Sequence, residues 1–294
     1  MEKRYIQTFE TSESLQEALD NNELGKPYVA YLVDEQRIVW YEVPPTPPEP
    51  VYSAMPLTFE IVSAGTLVFG TVYSTGYELI RTIYVKINDG EWTETRVGPS
   101  SYGQQVTYNL NAGDKLQIKA SYPKWGYDDA YPSFSINGTS YFNLYGNIMS
   151  LVDKDNFAEI TSLDSTVNYA FGYLFGNLQT GANVIDASKL CLPATGLSSG
   201  CYYGMFMKCA DLTNAPVLPA TTLAVSCYEN MFYGCTNLNY AKCLATDISA
   251  SNCTSFWVYG VSSTGTFVKN PNMSSWASGD DGIPTGWTVI DATI

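Results

Sequence analysis

The chain is predicted to be mainly β with short helices, in three parts: a small αββ unit, a β-sandwich and a C-terminal solenoid with a cap. Three observations predict this. First, a 26-residue period begins near residue 192, where Leu192–Pro216 aligned with Leu218–Lys242 is identical at 12 of 25 positions. A period of that length marks one structural unit that cannot bury its apolar face alone and must stack on copies of itself. Second, residues 52–148 alternate apolar and polar in short runs separated by turn residues. Third, the proline-rich segment 44–50, Pro44-Pro45-Thr46-Pro47-Pro48-Glu49-Pro50, favours extended polyproline and separates the 43 residues before it from the rest.

Residues 1–43 carry one helix signal, Ser14 with Glu17 three positions on as a capping box and Leu15, Ala18 and Leu19 at helical spacing. Two strands follow, Pro27–Val33 and Arg37–Val43, around the polar turn Asp34-Glu35-Gln36. So small an αββ unit buries too little to be stable without a partner, so it is read as a docking segment, with a freestanding mini-domain as the competing reading.

Seven or eight strands are expected across the sandwich, residues 51–149: Leu57–Val62, Thr66–Val72, Leu79–Ile87, Glu91–Arg96, Gln105–Leu110, Lys115–Tyr122 and Phe134–Tyr145, the last split at Asn137-Gly138. Asn88-Asp89-Gly90 and Asn137-Gly138 supply the positive φ of tight hairpins, and Asn111-Ala112-Gly113-Asp114 separates two alternating runs. That spacing suggests an immunoglobulin-like sandwich, without the cysteine pair of antibody domains.

The solenoid spans residues 150–263. Its repeat Cys-Tyr-x-x-Met-Phe puts apolar residues at i, i+1, i+4 and i+5, read as one stripe of a short helix, so each coil is expected to hold a helix and a strand. Leu163–Leu178 is a divergent first coil, and Thr254-Ser255-Phe256-Trp257 replaces the Tyr-x-x-Met-Phe pattern in the third repeat. Residues 264–294 form the cap, with Trp276, Trp287, Pro284 and the polar loop Ser278–Gly282 closing the end.

The seven cysteines obey the same arithmetic. Cys201, Cys227 and Cys253 lie 26 apart, as do Cys209 and Cys235, while Cys191 and Cys243 lie 52 apart. Cysteine behaves as a small buried hydrophobe, so these read as three internal ladders. Neighbouring coils would also permit disulfide geometry, but a three-member ladder leaves one thiol over. Zinc has neither a Cys-x-x-Cys pair nor a histidine to complete a tetrahedral set.

Composition limits function. A net charge of -14 removes the phosphate neutralisation that nucleic-acid binding needs, so nucleic acid is not expected as a partner. With no histidine, the usual general base is missing and no enzyme activity or cofactor is expected. No membrane insertion is expected. The N-terminus reads straight into polar residues without a secretory apolar run. Either a leader was removed, or the protein is made in a cytoplasm and released by another route, such as a lysing virus particle. The acidic turns Asp153-Lys154-Asp155-Asn156 and Gly279-Asp280-Asp281-Gly282 lack the further ligand positions of a calcium loop and read as solvated turns.

The most site-like segment is the loop Tyr122–Pro132. There Trp125, Tyr127, Asp128, Asp129 and Tyr131 combine aromatic faces with acidic acceptors that could stack on and hydrogen-bond a sugar. The competing reading packs those aromatics on the sandwich or on a neighbouring subunit.

The repeat Leu-Pro-Ala-Thr-x-Leu-x-x-x-Cys-Tyr-x-x-Met-Phe-x-x-Cys-x-x-Leu, the segment Gly146–Leu151 and the ending Gly265–Met273 with Gly282-Ile283-Pro284-x-Gly286-Trp287 resemble the BspA-like leucine-rich-repeat proteins of Bacteroides-type gut bacteria and their phages, over about residues 146–290. The segment Leu24–Ala30 resembles leaders of virion proteins in crAss-like Bacteroides phages. The resemblance implies a non-enzymatic virion structural protein of capsid- or tail-fibre type. Residues 1–43 would dock on other virion proteins, and the outer domains would be displayed, as a homotrimer, to touch host-surface or mucosal glycans. The alternatives are a bacterial cell-surface or secreted leucine-rich-repeat adhesin and a glycan-active enzyme.

Overall fold

A helix needs successive N–H groups to reach back four residues, and the repeat's backbone forbids that run. In the computed structural model, which describes residues 7–9, 30–32, 37–39, 51–71, 80–98, 104–125, 134–273 and 276–293, Gly200, Gly204 and Lys208 take positive φ, as do Ser226, Asn230, Gly234 and Asn252, Phe256, Gly260. A left-handed residue every fourth position ends any α-helix. The N–H groups divide instead by parity. Those of Tyr203, Met205 and Met207 close three-residue turns onto Gly200, Tyr202 and Gly204 (2.9, 3.2 and 2.9 Å), while those of Tyr202, Gly204 and Phe206 cross to the carbonyls of Cys227, Glu229 and Met231 in the next coil (3.0, 2.9 and 2.9 Å). The helix expected in each coil is therefore a ribbon of turns, satisfied half by itself and half by its neighbour. The expected side-chain stripe survives because a period of four puts the same residues inward.

Each coil also contributes a strand, and the C-terminal region is a β-solenoid of about four turns. Strands β12 (Val184–Cys191), β13 (Asn214–Leu218), β14 (Tyr240–Cys243), β15 (Thr266–Lys269) and β16 (Thr288–Asp291) pair in parallel, in chain order. A register shift between Asn214 and Val217 pairs Leu218, not Val217, with Cys243. This corrects the third cysteine ladder. Cys243 is buried, whereas Cys191 pairs with Asn147 and is only half-buried.

Residues 51–147 hold β4 (Leu57–Ile61), β5 (Gly65–Thr71), β6 (Arg81–Ile87), β7 (Thr93–Val97), β8 (Val106–Leu110), β9 (Lys115–Lys119), β10 (Phe134–Gly138) and β11 (Phe142–Asn147). One sheet has the order β10-β5-β8; the other, β7-β6-β9-β4-β11, continues through β11 into β12 to make ten strands. β11 runs antiparallel to β4 and parallel to β12, so one strand ends the antiparallel part of the sheet and opens the parallel part. The turn chemistry matches expectation at Asn88 (φ 52), Gly113 (φ 89) and Gly138 (φ 135).

A single core fills both parts. Phe59 lies 5.7 Å from Phe69, 5.2 Å from Phe142 and 6.2 Å from Phe175 of the first coil. Two ring ladders then climb the solenoid. Phe171, Tyr202, Tyr228, Trp257 and Trp276 stack at successive spacings of 5.7, 6.1, 6.4 and 5.6 Å. Phe175, Phe206 and Phe232 stack at 5.3 and 5.7 Å. The junction at residues 147–151 is polar yet satisfied. Buried Asn147 donates to Ser53 O (2.9 Å) and accepts from Met149 N (2.9 Å), and buried Ser150 Oγ joins Leu57 N to Ile118 O. Networks of this kind hold a unique arrangement.

Residues 264–294, expected as a cap, add β15 and β16 to the parallel sheet, with Trp276 and Trp287 packed at the end of the stack. Trp287 Nε1 donates to Ser262 O (2.7 Å), and the loop 280–282 accepts from Thr254 Oγ1 and Trp257 Nε1 (both 2.8 Å), meeting the last ribbon's outward donors. The chain divides into units of residues Met1–Pro50 and Val51–Ile294. In the first, β1 (Gln7–Phe9) runs parallel to β2 (Ala30–Leu32), which is antiparallel to β3 (Arg37–Val39). The two expected strands are present in shorter form, and β1 was not expected. The Ser14–Leu19 helix and the 44–50 linker lie outside the described residues.

Candidate functional site

The first candidate is the loop after β9, and its tryptophan faces inward. Trp125 is 1% exposed, with its ring 4.7 Å from Phe134 and 5.8 Å from Tyr122. Its Nε1 donates to Tyr122 O and Leu151 O (3.0 and 3.1 Å), and its backbone N–H reaches Ala170 O of the first coil (2.7 Å). Both ring faces are covered, so stacking on a sugar is closed to it. Trp125 pins the sandwich to the solenoid, and a Trp flanked by Pro123, Lys124 and Gly126 carries no sequence mark that distinguishes this from a surface role. Tyr127, Asp128, Asp129 and Tyr131 lie outside the described residues.

The thiols face the core and one another. All seven are free, and six are buried. Burial in apolar surroundings disfavours the thiolate. It pushes Cys243 up to about 12, raises Cys201, Cys209 and Cys227 further still, and raises Cys235 in the same direction. Cys209 and Cys235 donate to carbonyls of the preceding coil, Phe175 O (3.3 Å) and Phe206 O (3.0 Å). Thiols held protonated in this way are neither nucleophiles nor metal ligands. Among the described residues, no three His, Cys, Asp or Glu side chains gather as a metal site.

The acidic turns are consumed locally. Asp153 accepts from the backbone N–H groups of Asp155 (2.9 Å) and Asn156 (3.1 Å), which lowers its pKa. The carboxylate of Asp281 accepts from Phe256 N, tying the cap to the last ribbon. A groove of about 660 Å³ beside β6 and β9 is lined by Lys86, Asn88, Asp89, Asp114, Lys115 and Tyr145 among others. Its polar groups largely engage each other: Asn88 Nδ2 donates to Asp114 Oδ1 (2.9 Å), and Lys115 N donates to Asn88 Oδ1 (2.9 Å). Charges of both signs line it, so it favours neither an anion nor a cation.

What remains exposed and chemically distinct is aromatic. On the outer side of the last two ribbons, Tyr233 stacks on Tyr259 with ring centres 4.8 Å apart, and Phe256 meets Tyr259 edge-on at 6.2 Å. Phe256 is 49% exposed and Tyr259 43%. Sequence reasoning missed this cluster. The available signal was a phenylalanine at the register where earlier coils carry Gly204 and Asn230.

Comparisons with known protein families, with curated proteins and with solved structures return no match.

Proposed function

We propose that this chain is a non-enzymatic structural and recognition protein of a phage particle. Residues 1–43 dock on other virion proteins, and residues 51–294 form a displayed head that adheres to host-surface or mucosal glycans. In this reading the two-sheet part is an immunoglobulin-like sandwich, the coils are BspA-like leucine-rich repeats, and the particle carries the chain as a homotrimer. The observation that carries it is the ten-stranded sheet, which fuses the two-sheet part and the solenoid into one body with six of its seven thiols buried. Such a body offers surface, not chemistry. The sequence resemblances supply the virion setting.

The test is location. Bacteroides phage particles purified through a density gradient and analysed by mass spectrometry should contain the chain at a constant ratio to the major capsid protein. Its absence from particles, with recovery in the bacterial surface fraction, would replace this reading by the cell-surface adhesin. Molar mass by light scattering should give three chains per particle of solution; a monomer at micromolar concentration would remove the trimer.

A further inference from the structure

A bulky residue with positive φ is strained by about 1–2 kcal/mol, and the ribbons mostly avoid that cost. The left-handed positions read Gly200, Ser226, Asn252 in one register and Lys208, Gly234, Gly260 in another. The middle register reads Gly204, Asn230, Phe256. Two further aromatics, Tyr169 and Tyr173 (φ 55 each), share this conformation, but their rings serve the fold. They lie 2.7 Å from where Gly200 and Gly204 would carry a Cβ, covering the glycine backbone of the next coil.

Phe256 (φ 49) is not among the nearest neighbours of any glycine Cβ position among the described residues. Beyond it in the cap, the Cβ position of Gly279 has nothing within 4 Å, and that of Gly282 meets Ala277 first. The Phe256 ring is half in water, with Tyr259 beside it at an interplanar angle of 74°. The left-handed backbone here belongs to the ribbon, but a phenylalanine in it, half in water, adds strain and exposed aromatic surface that the ribbon does not require, and such costs gather at functional positions. The support beneath is rigid: Trp257 is stacked between Tyr228 and Trp276 and held by Gly282 O. A platform that is already ordered loses little entropy on binding.

We infer that Phe256 and Tyr259 form the glycan-contact platform of the displayed head, taking one residue of an uncharged polysaccharide. This rests on the adhesion reading above. The half-exposed Phe256 ring, with Tyr259 at a steep angle beside it and Tyr233 stacked on Tyr259, matches the apolar C–H face of a sugar ring. Asp280 and Asp281, in the adjoining cap loop, supply carboxylates that accept hydroxyl protons. Those carboxylates and a net charge of -14 disfavour sulfated or carboxylated sugars. They also interrupt the apolar surface that a docking protein would need.

Affinity electrophoresis in gels of soluble glucan, mannan or galactan, with polygalacturonate as the acidic comparison, tests this. The full chain should be retarded by at least one neutral polysaccharide, and Phe256→Asn should weaken that retardation about tenfold, near 1.4 kcal/mol. Asparagine already occupies this register at Asn230 and tolerates the left-handed backbone, so the variant should melt no lower than the parent. Tyr259→Ala should weaken retardation in the same gel. Unchanged retardation of both variants would overturn the platform while leaving adhesion standing. Failure of the parent to bind any polysaccharide would remove the adhesion reading as well. Retardation by polygalacturonate alone, a melting temperature lowered in Phe256→Asn, or self-association that this variant abolishes would each overturn the inference.

Discussion

The thiol lining makes the fold sensitive to base, and the size of the effect follows from the structure. Cys201, Cys209, Cys227 and Cys243 have pKa values raised by burial to about 12 or beyond, and burial raises Cys235 in the same direction. In the unfolded chain a thiol titrates near 8.5. A group whose folded pKa is raised contributes stability that is complete below its unfolded pKa and is lost as pH rises toward the folded one. Here the unfolded state releases the proton first, so each thiol removes about 1.4 kcal/mol per pH unit above roughly 8.5. The first four together remove about 6 kcal/mol by pH 9.5 and about 11 by pH 10.5. Domains are stable by only about 5–15 kcal/mol, so residues 51–294 should unfold between about pH 9.5 and 10.5 under reducing conditions. Urea midpoints followed by tryptophan fluorescence from pH 7 to 10.5 would measure the slope. Replacing Cys209 by Ala should cost stability at pH 7 yet flatten the alkaline slope by about one thiol's share. Midpoints constant to pH 10.5, or an unaltered slope in that variant, would refute the buried-thiol account.

Three more outcomes follow from packing. Tyr202 is 1% exposed, its hydroxyl has no hydrogen-bond partner, and Phe171 fills the equivalent ladder position. Tyr202→Phe should therefore stabilise by about 1 kcal/mol, a melting temperature higher by roughly 2–4 °C; a lower one would mean the hydroxyl is satisfied. Trp125→Ala should cost about 3–5 kcal/mol in urea unfolding, with sandwich and solenoid still melting in one transition. Gly204→Ala should cost about 3 kcal/mol, since φ is +56 and a Cβ would sit 2.7 Å from the Tyr173 ring. Gly234→Ala should cost less, because its nearest neighbour is the flexible Lys208 side chain at 3.2 Å. Equal losses in the two glycine variants would refute the role given to Tyr173.

The sequence alone determined the period, the strand runs of residues 57–147 and the inward side of the repeat, because each depends on side-chain type at a fixed local spacing. Cys201, Met205 and Phe206 had to face inward whichever backbone carried them. The backbone was another matter. A stripe at i, i+1, i+4 and i+5 fits both a helix and a ribbon of four-residue turns, and what separates them is where the alternate N–H groups go. In Tyr202 and Phe206 they go to the next coil, a partner 25 residues away that local propensity cannot weigh. The same limit explains Trp125, whose burial depends on Ala170 and Leu151, and the Cys191–Cys243 register, broken where Asp186 faces Asn214 and again by the shift in β13. Only the tertiary structure decided that β11 joins the two halves of one ten-stranded sheet, and that Phe256, strained and half-exposed, lies edge-on beside Tyr259 at the surface.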